Sequence, residues 1–303
     1  MFRDDKITNI FYLTDEFCKI FESTIKKSLI KEKTDKRIRN RKYRMSDSEV
    51  ITILILFHLS DFTTLKHFYC DYVVKHMQKY FPKTVSYNRF TELQQKVAMP
   101  LTLLLKTKLL GKCTGISFVD STPLRVCRNQ RIRQNKTFEG LAQRGHCSMG
   151  WFYGFKLHLI CNDKGEILNF VFTQGNIDDR KPLHYENFMK KVKGKLFADR
   201  GYISQLLFNN LFVDGIQLIT KVKKNMVNCV MSLRDKILLR KRAIIESVND
   251  ELKNNCKIEH SRHRCFAGFI TNAVAAIAAY CCLPKKPSLN LQFESPSNQL
   301  SIF

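Results

Sequence analysis

Acidic residues are scarce in this chain. Its 303 residues hold 27 Asp+Glu against 51 Lys+Arg, a formal net charge of +24. Such an excess suits a polyanionic partner bound in a salt-dependent way, with nucleic acid favoured over a ribosomal surface or an anionic membrane. Eleven cysteines include no CxxC pair, and their odd number argues against a disulfide framework. Reduced thiols in a cytosolic protein without a secretory leader are the expectation. The longest nearly apolar stretch, Ala267 to Leu283, is short for a bilayer and carries Thr271 and Asn272, so it reads as a closely packed interior helix and no membrane partner is expected. No glycine-rich phosphate loop, internal repeat or low-complexity linker occurs. What the chain does have is 44% hydrophobic residues and 23 Phe, ample for a core of one large domain or two ordinary ones.

The pattern along the chain changes near residue 110. Residues 1–110 read as helical. Ser46-Asp47-Ser48-Glu49 has the form of a capping box ahead of the apolar run Val50 to Leu59. Pro82 breaks the next helical stretch, and Ser86 reads as the N-cap of a helix carrying Tyr87, Arg89, Phe90, Leu93 and Val97. Lys26 to Arg44 forms a basic arm opposed only by Glu32 and Asp35. Short helices behind such an arm suit a DNA-binding bundle, with Arg89, Lys36, Arg37, Arg39 and Arg41 as candidate backbone contacts; a solvated charged face is the competing reading. Residues 111–285 read as an α/β domain. Its elements are a strand 116–120, a hairpin 155–161 and 167–173 turning at 162–165, a helix near 182–192, a strand 196–199, a helix from about 204, a strand 216–220 and a long helix near 234–254. Residues 286–303 read as a disordered tail.

Within that domain three acids stand out. Asp120 and Asp199 close the short apolar runs Ile116–Asp120 and Lys195–Asp199, and Glu246 lies in a basic helical segment. A carboxylate at the tip of a buried strand is costly unless a cation neutralises it. A few such hard oxygen donors are what a pair of Mg²⁺ ions requires. At about 100° per residue, Arg242, Glu246, Asn249 and Lys253 share one helical face with Asp250 at its margin, while Ile245, Val248 and Leu252 form an apolar stripe. Arg–Glu pairing on an exposed helix is the alternative account of that polar face. Asp178 and Asp179 precede a helix, where Asp often serves as N-cap, and Asp250 is the fallback third ligand. Lys156 and His158 project from one face of a strand, either toward DNA or as a half-exposed surface. Cys256, His260, His263 and Cys265 fit no common zinc spacing. Trp151, the only tryptophan, is expected to be packed and not to serve as a base-stacking platform.

Ordered motifs then carry a resemblance. They are Phe118-Val119-Asp120-Ser121-Thr122-Pro123-Leu124, Arg144-Gly145, Gly150-Trp151-Phe152-Tyr153-Gly154-Phe155-Lys156-Leu157-His158, Gly175-Asn176-Ile177-Asp178-Asp179-Arg180, Ala198-Asp199-Arg200-Gly201-Tyr202, Ile244-Ile245-Glu246, and Ile258-Glu259-His260-Ser261-Arg262-His263-Arg264. From about residue 45 to 283 the chain resembles insertion-sequence transposases with a D-D-E triad, most closely the insertion sequence 982 family. The resemblance implies an RNase H-like mixed sheet flanked by helices behind the all-α N-terminal region. It implies Asp120, Asp199 and Glu246 as catalytic ligands of two Mg²⁺ ions, with Mn²⁺ as a substitute. Arg242 and Lys253 meet the R-x3-E-x6-K signature, although Leu239 stands where some sister families have its opening Tyr. Double-stranded DNA, as element ends and target, is the implied partner. A homodimer or higher oligomer on DNA, in the bacterial cytoplasm and at the nucleoid, is the implied setting. A related nuclease would share the three acids, whereas a non-catalytic DNA-binding derivative of a transposon would be marked by loss of one of them.

Overall fold

The computed structural model describes residues 2–31, 43–221, 231–259 and 263–289. Lys36, Arg37, Arg39 and Arg41 lie outside these residues, as do His260 and the chain beyond 289. The N-terminal region is helical, as its sequence requires. Helix α1 (Asp4–Lys31) packs on α2 (Asp47–His58). The capping box is present at the start of α2: Ser46 Oγ accepts from Glu49 N at 3.2 Å, and Ser46 N donates to the Glu49 carboxylate at 2.7 Å. Val50 to Phe57 is buried on every side, so α2 is an interior helix. Ser46→Ala should cost about 1 kcal/mol of stability by removing that cap; a urea melt with an unchanged midpoint would contradict it.

A helical stretch over 65–76 follows. Ser86 then caps α3 (Tyr87–Lys96), which buries Phe90, Leu93 and the adjoining Val97. Helix α4 (Ala98–Leu104) leads through a π-helical turn into the sheet.

That sheet is six-stranded and mixed: β1 (Ile116–Cys127), β2 (Gln143–Cys147), β3 (Gly150–Asn162), β4 (Ile167–Gln174), β5 (Gly194–Ala198) and β6 (Ile216–Thr220). β1, β3 and β4 form an antiparallel meander, and β5 and β6 add on the other side of β1, parallel to it. This is the RNase H-like arrangement. The β3–β4 turn is built by Asn162, whose Oδ1 accepts from Lys164 N at 3.0 Å and Glu166 N at 2.9 Å, while Gly165 supplies φ +68°.

Opposite faces of the sheet pack on two cores. Val119, Ile160, Leu196 and Ala198 face α5 (Gln205–Val213) and the 183–192 segment. Phe118, Leu157, Leu159 and Phe197 face a larger core shared with the N-terminal helices. Into that larger core run α6 (Leu233–Arg240), α7 (Ala243–Asp250) and α8 (Phe266–Cys281). Helix α8 is the packed interior helix that its small residues suggest: Ala273 to Tyr280 is buried against α2, α3 and α4. Among the described residues no helix is long and apolar enough to cross a membrane.

Four expectations need correction. β1 does not end at Asp120 but continues to Cys127, because its antiparallel pairing with β3 outlasts its parallel pairing with β5, which stops at Phe118. The 182–192 helix reduces to the 3-10 turn Lys181–His184 and one α turn, Glu186–Met189. The long helix near 234–254 breaks at residues 241–242 and widens into a π turn over Glu251–Asn255. The break lets α6 follow β5 and β6, where Asp235 pairs with Lys195 at 2.6 Å, while α7 turns onto β1. Finally, residues 286–289 of the expected tail run back to the β3–β4 turn, where Leu289 N donates to Asp163 O at 2.8 Å.

Candidate active site

Asp120 sits on β1 two residues beyond the last rung shared with β5, and Asp199 follows immediately after β5 ends. Both therefore lie at the carboxyl end of the parallel strand pair, the edge where open α/β sheets place their sites. Glu246 comes from the first turn of α7, whose apolar residues Ile245 and Val248, continued by Leu252 in the turn that follows, are fully buried and set the opposite face toward that edge.

The three acids meet around Arg242. Its guanidinium lies 2.8 Å from Glu246, 3.9 Å from Asp120 and 4.0 Å from Asp199. The Arg242 side chain is 16% exposed, against 24% for Asp120 and 54–55% for the other two acids, so the cation is seated under a half-open carboxylate rim. Among the described residues no three acid, imidazole or thiol groups form a preassembled metal cage. The chain's own cation holds the triad together instead, offsetting the mutual repulsion of its carboxylates.

Asn249, one turn along α7, adds a further oxygen. Its amide nitrogen donates to Asp120 Oδ2 at 3.3 Å, while its Oδ1 is buried without a hydrogen-bond partner. Burial pushes the Asp120 carboxyl up to about 6, with Arg242 pulling it down and Glu246 and Asp179 pushing it further up. Asp250, the next residue, is exposed.

The other candidates are placed as follows. Lys156 is internal, its ammonium bound to Asp179 at 2.8 Å and to Ile177 O at 2.9 Å. His158 is buried, hydrogen-bonded through Nε2 to Thr173 at 2.8 Å and held down to about 4 by burial. Neither side chain is a half-exposed surface group, because β3 is covered on both faces from Phe152 onward. Asp178 pairs with Arg180, whose hydrogen bonds lower its carboxyl to about 2. Lys253 leaves Glu246's face: the π turn after Asp250 carries it toward Glu259, at 4.0 Å. Arg89 is half-buried on α3, paired with Glu92 and lying 5.5 Å over the Tyr43 ring, which Lys96 also meets at 4.2 Å. Cys265 caps α8 through Sγ and Cys256 is buried.

Trp151 contradicts its expected burial. It is 55% exposed, with the Arg144 guanidinium 5.0 Å over its ring. It stands beside a cleft of about 780 Å³ lined by Arg125, Arg128 and Arg131. These arginines are not among the residues that the sequence singles out above, although Arg125, Arg128, Arg131 and Arg133 within nine residues are a visible signal.

Residues 110–266, just over half the chain, match the family described as the transposase DDE domain. The chain belongs to that family. The match spans Asp120, Asp199 and Glu246 together with the whole sheet. The piggyBac transposase, solved by cryo-EM as a synaptic complex with hairpin DNA, aligns at a TM-score of 0.48 and 12% identity, over 93% of this chain and 72% of that one. No curated protein matches. This DDE transposase domain thus carries its three acids at one sheet edge, clasped around an arginine.

Proposed function

We propose that this DDE transposase, of the insertion sequence 982 type, cleaves the ends of its element and joins the freed 3′-OH to target DNA by two-metal-ion phosphoryl transfer. The observation that carries this reading is the convergence of Asp120, Asp199 and Glu246 within 4.0 Å of one guanidinium at the carboxyl end of β1 and β5. The donor set fits Mg²⁺, or Mn²⁺ in its place: every candidate is a hard oxygen, and the unpartnered Asn249 Oδ1 adds a neutral one beside Asp120. When bound, the ions would activate the attacking water or 3′-OH and stabilise the leaving oxygen.

The protein's own groups do the rest. The Asn249 amide orients the Asp120 carboxylate toward the rim. Arg242, released from the acids, presents its fork to the phosphate flanking the scissile bond. No covalent protein–DNA intermediate is required, so one site serves both cleavage and joining.

In this reading residues 1–110 bind DNA and residues 111–285 perform catalysis, and the core the two regions share couples them. A homodimer or higher oligomer would bring two element ends together. Purified full-length protein incubated with labelled end DNA and Mg²⁺ should nick at the element boundary and then join a precut 3′-OH to a second duplex. Nicking without joining would make it a nuclease. Duplex binding without either would make it a non-catalytic derivative.

The basic arm and Arg89 supply affinity without sequence choice. Changing Lys36, Arg37, Arg39 and Arg41 together to Ala should weaken binding to end and random duplex alike. The salt slope of log K should flatten by about 0.9 per lost phosphate contact. A loss confined to end DNA, or an unchanged slope, would show that the arm does not clamp the backbone.

A further inference from the structure

We propose that the cleft beside Trp151 is a binding site for an unpaired nucleobase and its flanking phosphates, at the single-stranded end of a DNA duplex. The proposal rests on the reading above that the chain handles DNA. Trp151 is the second residue of β3, beside a buried Phe152 and opposite His146 of β2. Its indole stays more than half exposed, yet its neighbours hold it in place. His146, its cross-strand partner on β2, meets the ring at 5.2 Å and 72°, and Arg144 lies 5.0 Å over it. An indole left in water forgoes the free energy that burying it would gain. A ring both exposed and braced is therefore a platform and not a core residue.

The surrounding charge identifies the ligand. Arg125, Arg128 and Arg131 are all exposed on the cleft, and Asn129 ties their segment to the platform by donating to Trp151 O at 2.9 Å. Among the described residues the one acid in the lining, Glu259, is engaged, accepting from Arg125 N at 2.8 Å with Lys253 4.0 Å away. A volume of about 780 Å³ is ample for a nucleotide. Stacked bases in a duplex present only their edges, whereas an unpaired base offers a π-face that an indole recognises whatever its sequence.

Placement agrees. Arg125 lies five residues beyond Asp120 on the same strand, about 17 Å at the rise of an antiparallel strand. That distance corresponds to about five nucleotides of B-form DNA. An end with its scissile phosphate at the triad would lay its frayed terminus in the cleft.

The single tryptophan makes the test direct, because all indole emission comes from this site. The full-length protein would be titrated with a blunt duplex and with the same duplex carrying a short single-stranded dT overhang. The overhang should quench Trp151 emission and the blunt duplex should not. By fluorescence anisotropy of labelled DNA, Trp151→Ala should lower the ratio of overhang to blunt affinity roughly tenfold, and Trp151→Phe should retain most of it. Equal quenching by both DNAs, or an unchanged ratio in Trp151→Ala, overturns the site while leaving the transposase reading intact. Failure of the wild-type protein to bind either DNA overturns both.

Discussion

Asp120→Asn, Asp199→Asn and Glu246→Gln should each reduce cleavage of end DNA by about a thousandfold or more while leaving DNA binding nearly intact. Each amide keeps the shape of the side chain but removes one of the few charges that the proposed mechanism uses to hold Mg²⁺. Several kcal/mol of transition-state stabilisation would be lost with the metal. Near-normal cleavage in any one variant would remove that residue from the triad. The exposed Asp250 would then be the first replacement tested for Glu246.

A second readout concerns pH. Burial raises the Asp120 carboxyl from 3.8 to about 6, so the folded protein holds a proton that the unfolded chain releases earlier. Metal-free stability therefore falls as pH rises from about 4 to about 6. Asp120→Asn is free of that loss. It should melt above the wild type at pH 8 in EDTA and lose most of this advantage below pH 4. An advantage that grows on acidification would show that the carboxylate is stabilised by Arg242 more than it is penalised by burial.

Arg242→Ala should combine two large effects. Without metal, removing the guanidinium leaves Asp120, Asp199 and Glu246 facing one another with no cation between them. A cost of roughly 2 kcal/mol is expected, below the ~3–5 kcal/mol of fully buried pairs because two of these acids are half exposed. Millimolar Mg²⁺ should recover the lost melting temperature. At saturating Mg²⁺, single-turnover cleavage should still be at least tenfold slower, because in the proposed mechanism Arg242 also stabilises charge developing on the phosphate. Full recovery of the rate with excess Mg²⁺ would confine Arg242 to organising the ligands. Lys253→Ala, two turns along and drawn toward Glu259, should affect the rate less than Arg242→Ala.

Much of this was written in the sequence, and the reasons are local. Ser46 and Glu49 cap α2 because the cap closes within four residues, and Ser86 and Ser204 announce α3 and α5 in the same way. The β3–β4 hairpin follows from alternation around an Asn-Asp-Lys-Gly turn. The three acids were visible because each ends or interrupts a pattern that otherwise predicts burial.

Other features depended on contacts between distant elements. Two strands compete for β1, and the longer antiparallel partner carries it past Asp120. No Gly or Pro marks the break at 241–242, which arises because α6 and α7 answer to different strands. His158 and Trp151 both lie on β3, seven positions apart and so on opposite faces, and one is buried while the other is exposed. β4 pairs with β3 beside His158, whereas only the short β2 pairs beside Trp151.

The sequence by itself determined the order of most elements, several of their caps and which acids to consider for the site, since these rest on spacing and residue chemistry within short stretches. Only the tertiary structure decided that Arg242 sits among the acids and that Asn249 reaches Asp120. It also decided that an exposed indole faces an arginine-lined cleft. Those relations join residues up to 129 positions apart, and no local pattern encodes the packing that brings them together.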